Sequence, residues 1–147
     1  MNKKILIFIV HDQEYAMEID YVKEVIKTVE INPLPQVPDY VKGIINYRGK
    51  LIHIFEIKKL LGQKKILHDD QKKIIIVNIN NLVFGFLVDD VIEVKTLNEN
   101  QIDLPKDLLD ENFDAIFFNG IIKLEARIIY LLNIESILNQ KHLLFSV

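Results

Sequence analysis

The sequence predicts a mainly β protein built from two similar small modules. The first observation behind this is an internal repeat. Residues 3–30 (KKILIFIVHDQEYAMEIDYVKEVIKTVE) align without a gap with residues 72–99 (KKIIIVNINNLVFGFLVDDVIEVKTLNE), with nine identities that include Asp20/Asp89, Val22/Val91, Glu24/Glu93 and Val25/Val94. A second pair follows, GIINYRGKLIHIFEIKKLLG (43–62) against GIIKLEARIIYLLNIESILN (120–139). Self-similarity of this kind is a fold-level signal, and two copies are too few for a solenoid. The modules are expected to pack face to face and to leave one groove. The second observation is that most apolar runs are short, rich in Ile, Val, Phe and Tyr, and separated by turn signals. That pattern argues for antiparallel barrels or sandwiches.

In chain order, strands are expected at 5–10, 15–19, 41–46, 51–55, 74–79, 82–88, 120–124 and 127–132. The first three runs, 5–10, 15–19 and 41–46, lack clean alternation, so they should be covered on both faces. His11-Asp12, Gly49-Lys50 and Asn80-Asn81 mark turns. Asp20 reads as the cap of a short helix over YVKEVIK, where Val22, Val25 and Ile26 share one face, and Asp89 as the cap of DVIEV. Ile57, Leu60 and Leu61 have the same spacing, with Gly62 as a stop. The tail is the strongest helix: Asn133 caps it, Glu135 sits in its first turn, and Ile134, Ile137 and Leu138 form its stripe. Pro33, Pro35 and Pro38 make 32–39 a loop, and 97–113 is its longer counterpart, with a short helix around 107–109. The polar stretch 63–73 should be solvated and mobile.

Composition narrows the function. The chain has 147 residues, 50% hydrophobic and 27% charged, which is globular. A half of this length buries too little surface to stand alone comfortably, so the halves are expected to share a core. The absence of cysteine excludes disulfides, thiolate nucleophiles and cysteine metal sites. The apolar run after Lys3-Lys4 is too short for a signal peptide, and no run reaches a membrane span, so a cytoplasmic location is expected. A net charge of −3 carries no basic footprint for nucleic acid.

No catalytic constellation is apparent. His11, His53, His68 and His142 are scattered, without metal-ligand spacing. Asp69-Asp70, Asp89-Asp90 and Asp110-Glu111 are adjacent pairs, and neighbours on a strand point to opposite faces. No glycine-rich phosphate loop exists, and Ser136 and Ser146 lack a partner base. No metal, cofactor or enzyme activity is expected.

One segment stands out. GIINYRG (43–49) follows the proline loop, and the repeat supplies a control, because Asn46, Arg48 and Gly49 are replaced by Lys123, Glu125 and Ala126. The structural reading is that Asn46 and Gly49 permit the left-handed backbone of a tight hairpin, while Arg48 pairs with Glu24. The equivalents Glu93 and Glu125 would repel, so that pair belongs to the first copy alone. The functional reading is that Arg48 presents its fork to a partner protein.

These residues carry a resemblance. PLPQVPDYVKGIINYRGKLIHIFEIKKLLG resembles the central signature of CheW-type chemotaxis coupling proteins: a proline loop, an aromatic, Gly-x-x-Asn-x-Arg-Gly, an apolar strand and an acid opening a short helix. VKEVI (22–26), GFLVDDVIEV (85–94) and IIYLLNIESIL (128–138) resemble the flanking segments, so the likeness covers essentially the whole chain. Two departures stand out: Glu56 replaces the usual Asp, and His53 the commoner proline. The resemblance implies two SH3-like five-stranded β-barrels related by a pseudo-twofold within one domain, 1–147. The barrels would span roughly 14–70 and 71–138, with the N-terminal strand and C-terminal helix packing across. It implies a noncatalytic adaptor that joins the cytoplasmic signalling domain of chemoreceptors to the regulatory domain of the histidine kinase CheA, in membrane-associated arrays or rings. By position, Val22, Glu24, Val25, Gly43 and Arg48 would meet the receptor, and Ile31, Tyr40 and Lys42 the kinase. The length argues against the relatives fused to a receiver or kinase domain unless the chain is a fragment of a longer protein. The open alternatives are an adaptor of a pilus-motility or developmental kinase pathway and a small-molecule sensor using the groove between barrels.

Overall fold

Tight turns set the architecture. In a computed structural model, which describes residues 2–61, 72–103 and 117–140, three two-residue turns have both central residues left-handed. They are His11-Asp12 (φ 50° and 63°), Arg48-Gly49 (50° and 85°) and Asn80-Asn81 (52° and 69°). Two positive φ values define the type I′ turn, whose twist matches that of the strands it joins. The turns close the hairpins β1 (Asn2–Val10) with β2 (Gln13–Glu18), β4 (Val41–Tyr47) with β5 (Lys50–Glu56), and β6 (Lys73–Ile79) with β7 (Leu82–Val88). The remaining strands are β3 (Val22–Lys27), β8 (Asp90–Asn98), β9 (Ile102–Asp103), β10 (Phe118–Leu124) and β11 (Arg127–Leu132). The helices are α1 (Ile57–Leu60) and α2 (Ile134–Gln140), and the Asn133 side chain caps α2 by accepting from the Ser136 amide at 3.0 Å.

The expected helices over 20–27 and 89–94 are not formed. A single 3-10 turn, Ile19–Tyr21, precedes β3, and the second stretch lies in β8. Both segments are dense in β-branched residues, and β3 finds a ladder on β6, with Val25 opposite Ile75 and Ile26 opposite Ile74. Tertiary pairing overrides the helical spacing.

The strands form two sheets, ordered β3-β6-β7-β5-β4 and β8-β1-β2-β11-β10-β9. Under the repeat, β3, β6, β7, β5 and β4 correspond to β8, β1, β2, β11 and β10, so the two orders are the same. The sixth strand, β9, has two residues, and its counterpart in the other sheet is an isolated bridge from Asn32 to Ile44. Registers also match: Ile54 opposes Gly85 in the parallel pair β5–β7, and Leu131 opposes Ala16 in β2–β11.

The folded units are not the sequence repeats. One unit is Tyr21–Asp90, and the other joins Met1–Asp20 to Val91–Val147, in place of the expected 14–70 and 71–138. The reason lies in strand pairing. The hairpin β6–β7 of the second copy pairs with β3 and β5 of the first, while β1–β2 of the first pairs with β8 and β11 of the second. Each unit has its own apolar centre. Ile45, Ile52, Ile54, Ile74 and Ile76 lie in one, and Ile122, Ile129, Leu131, Ile5 and Ile7 occupy the matching places in the other. Ile5–Phe8 is buried without alternation, so both faces of β1 are covered as expected. Ile74–Val77 is buried the same way, whereas β4, also expected to be covered on both faces, alternates from Gly43 to Tyr47 between buried and more exposed positions.

Gly43 sits at a bulge in β4 with φ 155°, where an added Cβ would lie 2.2 Å from the Asn32 carbonyl oxygen. Gly120, its counterpart, has φ 154° and the same crowding, 2.8 Å from the Asp103 oxygen. A Cβ on Gly49 would meet nothing within 4 Å. Chemical denaturation should therefore separate the two glycines of the first unit: Gly43→Ala should cost roughly 2–4 kcal/mol, and Gly49→Ala about 1 kcal/mol or less. Equal losses would contradict the bulge account.

Candidate functional site

The site is built around the β4–β5 turn. The turn places Arg48 at its tip, and Asn46 supports it: the Gly49 amide donates to the Asn46 side-chain oxygen at 3.0 Å. Asn46 itself lies in β4 and is not left-handed. The left-handed pair is Arg48 and Gly49, which corrects the expected role of Asn46. The asparagine acts through its side chain, stapling the turn back to the strand.

Across the sheet, β3 carries Glu24. β3 and β4 are opposite ends of the sheet order, so a meeting of their side chains means that the sheet has curled round on itself. They do meet. An Arg48 Nη donates to Glu24 Oε2 at 2.9 Å, the ion pair expected from the sequence. The Tyr47 hydroxyl donates to the same carboxylate oxygen. The Arg48 guanidinium carbon stands 5.4 Å from the centre of the Tyr47 ring, and Lys23 Nζ stands 5.8 Å from it. Both distances are within cation–π range. The hydroxyl bond from Tyr47, with Arg48 next in weight, holds the Glu24 carboxyl below the usual carboxylate range. The same hydrogen bond, in which Glu24 stabilises the protonated phenol, pushes Tyr47 up. Glu24 therefore stays ionised while Tyr47 and Arg48 stay protonated, and the clasp persists through neutral pH.

The matching turn of the other unit keeps the first left-handed residue, loses the second (Gly49 has φ 85°, whereas Ala126 is not left-handed), and changes the chemistry. Glu125 stands where Arg48 does, with φ 54° against 50°. Glu93, the counterpart of Glu24, is not left facing Glu125 alone, as the sequence suggested. Arg127 Nη1 donates to Glu93 at 3.3 Å, while Nη2 and Nε of the same guanidinium bind Glu14 at 2.6 and 3.1 Å. This cluster was not read from the sequence. Arg127 is consumed by two carboxylates, whereas Arg48 meets one, and the Arg48 side chain is 69% exposed.

The other end of β4 gathers a second group. Asn32 and Ile44 exchange backbone hydrogen bonds at 2.9 Å each way, which seats Ile31 against the core and against Gly43. Lys42 Nζ lies 3.3 Å from Glu56 Oε1, and Lys59 lies 3.3 Å from Oε2. Glu56 also donates its amide to the Tyr40 carbonyl at 2.9 Å, and the Tyr40 ring packs 6.4 Å from Phe55. Glu56 is 1% exposed and lies within ion-pair range of two ammonium groups, while its Oε2 accepts no hydrogen bond among the described residues. The structure thus brings together Ile31, Tyr40, Lys42 and Gly43 at one end of β4, and Glu24 and Arg48 at the other, roughly 17 Å away at about 3.4 Å per residue. Gly43 belongs with the first group by position, and it is buried. Val22 and Val25 lie half-buried on β3.

Among the described residues, no three His, Asp or Glu side chains gather as a metal site, and no helix is long and apolar enough to cross a membrane. His53 is exposed and stacks on Phe55 with ring centres 6.3 Å apart. His68, His142, the acid pairs at 69–70 and 110–111, Ser146, the short helix expected at 107–109 and most of the polar stretch 63–73 lie outside the described residues. One buried charge has no evident part in either group. Lys58 on α1 is 1% exposed, and its ammonium has no hydrogen-bond partner among the described residues. Burial lowers its pKa, against an opposing pull from Asp89.

A family model described as CheW-like domain matches residues 4–142. The chemotaxis protein CheW of Thermotoga maritima is 33% identical over 139 residues, covering 93% of this chain and 88% of that protein. The chemotaxis protein CheW of Rhizobium meliloti is 30% identical over 136 residues, covering 92% and 87%. Among solved structures, the scaffolding protein TtCheW from Thermoanaerobacter tengcongensis superposes with a TM-score of 0.79 at 36% identity, covering 90% of each chain.

Two outcomes follow from these charges. The Glu24 pKa is depressed in the folded state, so its stabilisation is present above the ordinary carboxylate range and is lost as pH falls through the depressed value. Thermal melts of Glu24→Gln should therefore lie below the parent at pH 7 and merge with it in acid. A constant difference across pH would rule out the ionised clasp. Lys58 has the opposite sign. Its folded pKa is lowered, so the penalty for burying it is full below that value and fades as pH rises toward the ordinary lysine range. Lys58→Met should stabilise the chain by about 1 kcal/mol at pH 7 in urea denaturation, with a smaller gain at pH 10. Destabilisation at pH 7 would show that the ammonium is well satisfied.

Proposed function

Since the chain belongs to the CheW-like family, we propose that it is a noncatalytic adaptor. It couples the cytoplasmic signalling domain of chemoreceptors to the regulatory domain of the histidine kinase CheA, at membrane-associated receptor arrays. The observation that carries this reading is the Glu24–Tyr47–Arg48 clasp. In the other unit a glutamate, Glu125, takes the same left-handed turn position, so that position does not demand the guanidinium. An exposed arginine braced by a carboxylate and an aromatic ring is a pre-organised protein-binding anchor.

On this reading Arg48, Glu24, Val22 and Val25 face the receptor. Ile31, Tyr40 and Lys42, at the far end of β4, serve the kinase, with Gly43 holding the backbone that connects the two ends. Two separate surfaces on one small sheet suit an adaptor, because partners can be held at once. Repetition of such weak contacts in an array or ring gives strength through multivalency.

Arg48→Glu should leave the fold intact, as Glu125 does in the other unit, and should lower capture of a purified receptor signalling domain by about 100-fold. The double exchange Glu24→Arg with Arg48→Glu should recover part of that loss by restoring the pair in reverse. Undiminished capture by Arg48→Glu would refute the assignment.

A further inference from the structure

We infer that the surface around the β4–β5 turn receives an acidic side chain, Asp or Glu, from its protein partner, placed beside an apolar residue of that partner. The inference rests on the reading of this turn as a receptor-binding surface and specifies what the surface recognises. Three cations converge here. Arg48 and Lys23 flank one aromatic ring, Tyr47, at 5.4 and 5.8 Å. Lys50 follows the turn and is exposed. Among the described residues, Glu24 is the one carboxylate within ion-pair distance of them, and its contact is with Arg48. Lys23 and Lys50 form no ion pair among the described residues. Arg48 spends one Nη on Glu24, which leaves its remaining N–H donors for a second acceptor in the fork geometry that suits a carboxylate.

The other unit shows that folding does not require this excess. Lys23, Arg48 and Lys50 correspond there to Ile92, Glu125 and Arg127, and Arg127 is neutralised by Glu14 and Glu93. Glu125 takes the left-handed position of Arg48 there without the unpaired cations. Positive charge that a sheet does not need, and that stays unneutralised, is available to a partner. On the same hairpin, opposite Asn46, Leu51 is 70% exposed, a large aliphatic side chain in water. A polyphosphate or an anionic membrane would match the cations and leave Leu51 without a role. A protein segment carrying an acid beside an apolar residue satisfies both, and the chain's net charge of −3 disfavours a general polyanion site.

The test is calorimetric titration of the full chain with a receptor cytoplasmic signalling domain at low and high salt. Lys23→Gln leaves the Glu24–Arg48 bond in place, so it probes charge without touching the turn. It should weaken binding about tenfold at low salt and flatten the salt dependence, and Arg48→Gln should do so more strongly. An acid-to-arginine change on the receptor segment should restore binding to Arg48→Glu. If the parent chain binds the receptor domain and Lys23→Gln and Arg48→Gln keep its affinity and salt slope, the carboxylate assignment is overturned while the receptor reading stands. If the parent binds no receptor domain, both fall. Lys23-dependent binding to phosphatidylserine vesicles that matches or exceeds receptor binding would assign the cations to a lipid surface instead.

Discussion

Everything in this structure depends on one pairing constraint: neither repeat can complete its own sheet. One sheet takes three strands from the first copy and the other four from the second, and each adds a hairpin from the other copy, joined through the parallel pairs β5–β7 and β2–β11. A parallel pair cannot be made by a tight turn, so its two strands must be distant in sequence. The hairpins are local and cheap to form, whereas the parallel seams close long loops, and those long-range contacts make the two copies one cooperative chain. The shared register of the seams shows that one design is executed twice, with the same backbone geometry at Gly43 and Gly120.

Given a duplicated backbone, function lies where the copies differ. The β-turn after β4 and the one after β10 have nearly the same left-handed residue, yet one ends in an exposed arginine and the other in glutamate. Around the first, Tyr47 and Glu24 brace the guanidinium from two sides. Around the second, an arginine two residues further on is absorbed by Glu14 and Glu93. The first arrangement leaves its charge largely exposed, and the second spends its charge on two carboxylates. Likeness to the CheW relatives covers both units, which fits a scaffold whose surface chemistry, rather than its fold, is unequal between its halves.

Much of this was legible in the residues. The short β-branched runs, the turn pairs at 11–12 and 80–81, the Asn133 cap and the Glu24–Arg48 pair all depend on local spacing or on one complementary pair. What escaped depends on distant partners. Val22, Val25 and Ile26 have helical spacing, and only the ladder on Ile74–Val77 makes them a strand. The exchange of hairpins is invisible to the repeat, because similarity says which segments are alike and not which ones pair. The part played by Tyr47 also rests on a partner 23 positions away. The ring packs in the core, and only its hydroxyl reaches Glu24. The Arg127 cluster joins residues 113 positions apart, and no spacing rule spans that.

Nuclear magnetic resonance on the isotope-labelled full chain tests the central claim most directly. On addition of a receptor cytoplasmic signalling domain, the largest amide shift changes should map to Lys23, Glu24, Tyr47, Arg48 and Leu51, with the guanidinium resonance of Arg48 moving while that of Arg127 stays put. Shift changes confined to the Arg127 cluster, with the Arg48 turn silent, would contradict the account.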